Sequence, residues 1–190
     1  HAARYSLKNG IMALGPGGFY FEKFIARVFE LQGFDVATNI FVEGNCISHE
    51  LDVVVEKNGE LSMVECKFHS SQNNKTDVKV PMYILSRFND VKFETYHLFE
   101  KNNQFSKCWL VTNSKFTTEA IKFGECSDMS LLSWDYPIGN SLKDILDREH
   151  IFPITILSAL TKAEIAILLN KNIVTCQQIL DNPLVLNDLK

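Results

Sequence analysis

The sequence predicts a mixed α/β fold: a central mixed sheet flanked by helices on both sides, followed by a small C-terminal helical appendage. Three observations carry this. Two β-branched apolar runs, Leu51-Asp52-Val53-Val54-Val55-Glu56 and Leu61-Ser62-Met63-Val64-Glu65-Cys66-Lys67, meet at Asn58-Gly59, the strongest short-range hairpin signal a chain offers. Residues 108–112, 118–124 and 130–134 read as strand, helix and strand within about 25 residues, a βαβ unit with parallel pairing. After Asp135-Tyr136-Pro137 the pattern turns entirely helical.

Taken in order, residues 1–14 form an entry helix or linker, with Leu7, Ile11 and Leu14 at helical spacing, and Gly15-Pro16-Gly17-Gly18 then punctuates. Phe21, Phe24, Ile25, Val28 and Phe29 recur at i, i+3, i+4, i+7 and i+8, an amphipathic helix stopped by Gly33. A strand at residues 36–42, the polar turn Glu43-Gly44-Asn45, the hairpin and a polar loop at 70–76 follow. The next helix starts near Pro81, which a first turn tolerates, and turns Met82, Ile84, Leu85 and Phe88 inward while Tyr83 and Arg87 share another face. Near the end, Thr161-Lys162-Ala163-Glu164 and Thr175-Cys176-Gln177-Gln178 match the capping-box pattern. The expected organisation is a linker helix at 1–14, a principal domain at 15–148 and a helical subdomain at 149–190.

Composition narrows the function classes. The chain has 190 residues, 46% of them hydrophobic and 22% charged, which describes a soluble globular protein of one ordinary domain. No apolar run approaches the roughly 20 residues of a membrane span. A start at His1 without a signal peptide points to a processed or truncated chain. The five cysteines are odd in number and form no CxxC pair, which speaks against a zinc site or a disulfide framework and fits a reducing cytoplasm. The net charge of -4 disfavours nonspecific attraction to nucleic acid, yet residues 65–122 hold nine Lys/Arg against six Asp/Glu, a locally basic middle that suits phosphates.

The hairpin carries the chemistry. With Asn58-Gly59 as a two-residue loop, Lys57 pairs with Glu60, which sets Asp52 across from Glu65 and Glu50 across from Lys67. Alternation then projects Glu50, Asp52, Glu65 and Lys67 from one side of the sheet. Two opposed carboxylates with Cβ atoms roughly 5 Å apart repel each other, so a core sheet tolerates them when a cation sits between.

Asp52 followed by Glu65-Cys66-Lys67 matches the D-x(n)-E-x-K pattern of the PD-(D/E)xK nuclease superfamily. The surrounding residues resemble its Mrr-like restriction endonucleases. Gly18-Phe19-Tyr20-Phe21-Glu22 and Gly33-Phe34-Asp35-Val36 look like that family's opening helix and turn. His49-Glu50-Leu51-Asp52-Val53-Val54 and Val64-Glu65-Cys66-Lys67 look like its active-site strands, and Val111-Thr112-Asn113 with Phe116-Thr117 and Ala120 like its later strand-helix element. Leu14-Gly15-Pro16-Gly17-Gly18 together with Ser48-His49-Glu50 is similar to members whose nuclease domain follows an ATP-cone domain, which here would lie upstream of His1. The resemblance covers residue 4 to about 137. One departure is the missing Gln of the helix after E-x-K, where Asp77, Lys79 and Tyr83 stand instead.

The resemblance implies a restriction-endonuclease-like core and a metal-dependent endodeoxyribonuclease, a type IV-like restriction or defence enzyme acting on DNA in the cytoplasm. Mg²⁺ (or Mn²⁺) would take oxygen ligands from Asp52, Glu65 and the backbone carbonyl of Cys66, and Lys67 would serve the attacking water. Glu22 would assist through a metal-bound water or a second ion. Glu50 is either a third acid near the metal or the ion-pair partner of Lys67, and His49 either supports the acids or is purely structural. Lys79, Tyr83 and Arg87 either contact backbone phosphate or occupy an exposed helix face. Double-strand cleavage needs two active sites, so a homodimer is expected. A catalytically silent DNA-binding or regulatory module and an RNA-cleaving nuclease are the alternatives. The C-terminal helix pair is similar in outline to a helix-hairpin-helix, but Asn170 and Asn172 stand where its glycines would be, so scaffold, dimerisation or interdomain packing is the favoured role.

Overall fold

In the computed structural model, which describes residues 2–71 and 73–189, the chain opens with α1 (Ala2–Met12) and α2 (Phe19–Leu31) and continues through β1 (Asp35–Glu43), β2 (Ser48–Lys57) and β3 (Glu60–Lys67). A short β4 (Lys75–Thr76) leads into α3 (Lys79–Val91), then β5 (Tyr96–Leu98), β6 (Lys101–Asn103) and the long β7 (Phe105–Thr112). β8 (Lys115–Phe116), α4 (Thr118–Cys126), β9 (Ser130–Leu132), α5 (Leu142–Arg148), α6 (Lys162–Asn170) and α7 (Cys176–Asp181) follow.

Five strands make the central sheet in the order β1-β2-β3-β7-β9. The first two pairings are antiparallel and the last two parallel, the mixed sheet expected. Alternate residues face opposite sides. Val53, Val55, Val64 and Val111 pack with Phe21, Phe24, Ile25 and Val28 of α2, whereas Leu51, Val54, Met63 and Leu110 pack with Ile84 and Val91 of α3. Each fully buried side chain of this size contributes roughly 1.5–3 kcal/mol, so both helices are held by burial more than by propensity. Ile151, Ile154, Leu168, Leu169 and Val174 belong to the same core as Leu7, Ile11 and α2, so the C-terminal helices share their apolar interior with the α2 face of the sheet.

Two local expectations are corrected, and one hairpin is unforeseen. Met82 is 48% exposed instead of inward-facing, because α3 begins at Lys79 and buries the phase set by Pro81, Ile84 and Val91. The β5–β6 hairpin carries no Gly or Asn at its tip; Phe99 and Glu100 adopt the left-handed backbone (φ 52° and 61°). Alternation also breaks once, at the functional end of the hairpin. β1 and β2 pair Thr38 with Val53 and Ile40 with Leu51, yet Val53 faces α2 and Leu51 faces α3. Between them Asn39 is left-handed (φ 54°), and Lys23 of α2 donates to Thr38 Oγ1 (2.7 Å) and Asn39 Oδ1 (3.2 Å). The slip moves Asp52 out of the simple in-out pattern.

Candidate active site

The β2–β3 register is the one the turn dictates, from Lys57↔Glu60 to Val53↔Val64. Beyond Val53 and Val64 the ladder opens. Asp52 stands at that mouth, and its Oδ2 accepts the Cys66 N–H at 2.8 Å, a side chain taking a backbone donor that no longer has a strand partner. Glu65 projects to the α3 face and is 7% exposed. Its Oε2 accepts from Nη1 of Arg87, and Nη2 of Arg87 donates to the backbone carbonyl of Glu50. Oε1 of Glu65 is buried and accepts no hydrogen bond from any described residue.

Glu22 reaches this place through the glycine-rich turn. Gly18 caps α2 in the left-handed region (φ 83°), and a Cβ on Gly15 would meet the Phe68 ring at 2.7 Å. Small residues thus let the start of α2 close onto Phe68, directly after Lys67, and the Phe21 and Phe68 rings lie 5.7 Å apart. Glu22 falls in the first turn of that helix.

The electrostatics are those of crowded acids. Burial, then the charge of Asp52, push Glu65 up to about 8 although Arg87 pulls it down. Burial, then the charges of Asp52 and Glu50, push Glu22 up to about 7. Asp52 is raised by burial, opposed by the Cys66 N–H. Burial first, and mutual repulsion second, thus oppose ionisation of these acids, and a bound cation would offset both.

Glu65 and Lys67, two residues apart on β3, line one cleft, and Asp52 is close enough to act on Glu65, but the slip at Asn39 and Asp52 breaks the simple alternation that would set Glu50 in the same row. Glu50 pairs with Phe41 of β1 and Lys67 with Thr112 of β7, and no Glu50–Lys67 ion pair forms among the described residues. Lys67 is exposed and lines a cleft of about 370 Å³ with Glu65, Lys79 and Tyr83. A second cleft, of about 610 Å³, holds Glu50, Arg87 and again Tyr83. His49 instead bonds Asp90 through Nε2 (2.8 Å). Asp90 also takes the N–H groups of Cys46 and Ile47, and these bonds, that of His49 foremost, hold it at about 2. His49 thus braces the β1–β2 turn.

Asn113 is the residue that sequence reasoning passed over, although it lies in the quoted Val111-Thr112-Asn113 run. Buried at 1% exposure, it accepts the His69 N–H (2.8 Å) and donates to the His69 carbonyl (2.9 Å), fixing the chain just past Lys67. Nothing short-range marks it, since its partner lies 44 residues away.

Among the described residues no three His, Cys, Asp or Glu form a ready-made metal cage. A hard cation such as Mg²⁺ needs only one or two carboxylates plus waters. Asp52 and Glu65, with one buried oxygen of Glu65 unpartnered, fit that requirement.

Several known proteins are similar to this chain. A protein from Archaeoglobus fulgidus, uncharacterized, is 41% identical over 133 residues, 70% of this chain and 71% of its own. The crystal structure of the protein of unknown function AF1548 matches with a TM-score of 0.72 at 35% identity, covering 85% of this chain and 82% of that one. The DNA modification-dependent restriction endonuclease AspBHI aligns at a TM-score of 0.44 and 14% identity over 90% of this chain and 40% of its own. Residues 152–190 match the AF1548-like C-terminal family. With residues 17–135, most of the sheet and the whole acidic site, matching its model, the chain belongs to the restriction endonuclease family Mrr_cat.

Proposed function

We propose that this protein is a divalent-metal-dependent endonuclease that hydrolyses DNA phosphodiester bonds in a type IV-like defence role. One observation supports the reading above the others: Glu65 is buried with an oxygen that no described residue satisfies, beside Asp52, at the mouth of an opened hairpin. A native fold rarely leaves such a group without a purpose.

Asp52, Glu65 and the Cys66 carbonyl would hold Mg²⁺ or Mn²⁺, which supplies charge neutralisation and polarises phosphate and water. Lys67 is exposed in the adjoining cleft and forms no ion pair with any described residue, so its amine is available to orient the attacking water and offset the charge growing on phosphorus. Glu22, already raised toward neutrality, would hold or release a proton beside Asp52. Lys79 and Tyr83 would meet the nucleic-acid backbone along the two clefts. A homodimer would bring two such sites to one duplex.

Supercoiled plasmid and matched RNA, incubated with Mg²⁺ or Mn²⁺ and with EDTA as control, test the proposal. Nicked or linear DNA is expected only with metal, and not from Asp52→Asn or Glu65→Gln. Binding without cleavage under every metal condition would leave a silent module, and cleavage of RNA alone would change the substrate.

A further inference from the structure

Arg87 joins both sides of the mouth at once. The last β2–β3 pair is Val53↔Val64, and past it Asp52 holds the Cys66 N–H while Arg87 joins the Glu50 carbonyl to the Glu65 carboxylate. The guanidinium comes from α3, a helix packed on the opposite core from α2. Its Nη1 occupies Oε2 of Glu65 and leaves Oε1 without a partner among the described residues. The guanidinium stacks near Tyr83 (5.8 Å to the ring centroid), and its side chain is 14% exposed, so it is a packed group and not a waving surface arginine. A planar fork with fixed donor directions can hold a carboxylate in one rotamer and one orientation, which a single ammonium point charge cannot.

Resting on the nuclease reading, we propose that Arg87 is the positioning residue of the metal site: it clasps Glu50 to Glu65 across the opened strands and fixes Glu65 so that its free oxygen faces the ion. Metal ligands held by such outer hydrogen bonds typically lose 10–100-fold in affinity when the support is removed. Arg87 itself takes no part in bond-making. The competing possibility is that its positive charge merely substitutes for the metal and is expelled when one binds, and the two make opposite predictions.

The test is titration of the full chain with Mn²⁺ alone, by calorimetry, for wild type, Arg87→Met and Arg87→Lys. Positioning predicts at least tenfold weaker Mn²⁺ binding for Arg87→Met and a partial loss, several-fold, for Arg87→Lys, which keeps the charge but cannot span both partners. Unchanged or tighter binding by Arg87→Met overturns the proposal in favour of a simple counter-ion. Should Arg87→Met fail to fold, Arg87→Lys decides alone: wild-type affinity there overturns it. Wild-type protein that binds no Mn²⁺ would remove the metal-site reading and this inference with it, whereas normal wild-type binding with an indifferent Arg87→Met removes the inference only.

Discussion

Two glutamates lie at opposite ends of the same hairpin, and both are buried: Glu56 is 3% exposed and Glu65 is 7% exposed. At the turn end, Glu56 is satisfied on both oxygens, by the Gly59 N–H at 2.6 Å and by Lys101 at 3.7 Å. At the open end, Glu65 has Arg87 on one oxygen and no described residue on the other. Burial alone therefore says little about purpose. A buried carboxylate whose every oxygen is used belongs to the scaffold, whereas one held by half its capacity next to other acids is waiting for something.

The comparison can be broken or sharpened by experiment. The largest effect is expected beside the open end: Lys67→Ala should lower metal-dependent cleavage by about 10²–10⁴-fold, the range for losing a group that manages a proton. Thermal midpoint and DNA binding in Ca²⁺ should stay as in wild type, and undiminished cleavage would end the assignment of Lys67.

Asn113→Ala tests whether the open end is held from behind. Losing the two hydrogen bonds that buried Asn113 makes to the His69 backbone should cost about 2–3 kcal/mol in urea unfolding and lower cleavage as well. Wild-type activity in that variant would show that the segment after Lys67 keeps its place without the clamp.

At the turn end, Glu56→Gln should lower stability by about 1–2 kcal/mol and leave the stabilisation conferred by Mn²⁺ untouched, since Glu56 serves the turn and Lys101, away from the open end. A changed response to Mn²⁺, read as the shift in thermal midpoint, would erase the distinction drawn between the two glutamates.

The smallest effect is in pH dependence. Glu22 and Glu65 hold their protons up to about 7 and about 8 in the fold, against roughly 4.3 for a free glutamate, so the native state carries more protons than the unfolded chain across that window. Stability of the metal-free protein should therefore fall as pH rises from about 5 to about 8 and level off above. Glu22→Gln should flatten part of that slope. After discounting for solvent screening, a gain of about 1 kcal/mol at pH 8.5 is expected, measured by urea midpoints with EDTA present.

The turn of the hairpin and the register beside it were legible in the chain because their signal is local: Asn58 and Gly59 both adopt positive φ (55° and 85°), as a two-residue turn requires. The parallel β7–β9 pairing around α4 followed from its strand-helix-strand pattern for the same reason. What escaped depends on residues meeting from far apart. The alternation slip at Asp52 arises from Asn39, which Lys23 of a different element holds, and the partnership of Arg87 with Glu65 spans 22 residues. The β5–β6 turn escaped for another cause, since Phe99 and Glu100 carry no preference for the conformation they adopt. Composition and spacing identified the acids, but the Arg87 guanidinium that Glu65 meets in the fold was visible only in three dimensions.

The tail of the chain has a consequence for the acidic end of the hairpin. Leu168, Leu169 and Val174 fill the same interior as Phe21 and Ile25, and the Tyr20 hydroxyl donates to Asn170 at 2.6 Å. The helix bearing Glu22 thus leans on the last forty or so residues as on a buttress. A protease nick or premature stop beyond Arg148 would bare its rear surface, and anything that tugs on the tail has a direct mechanical path to the acids.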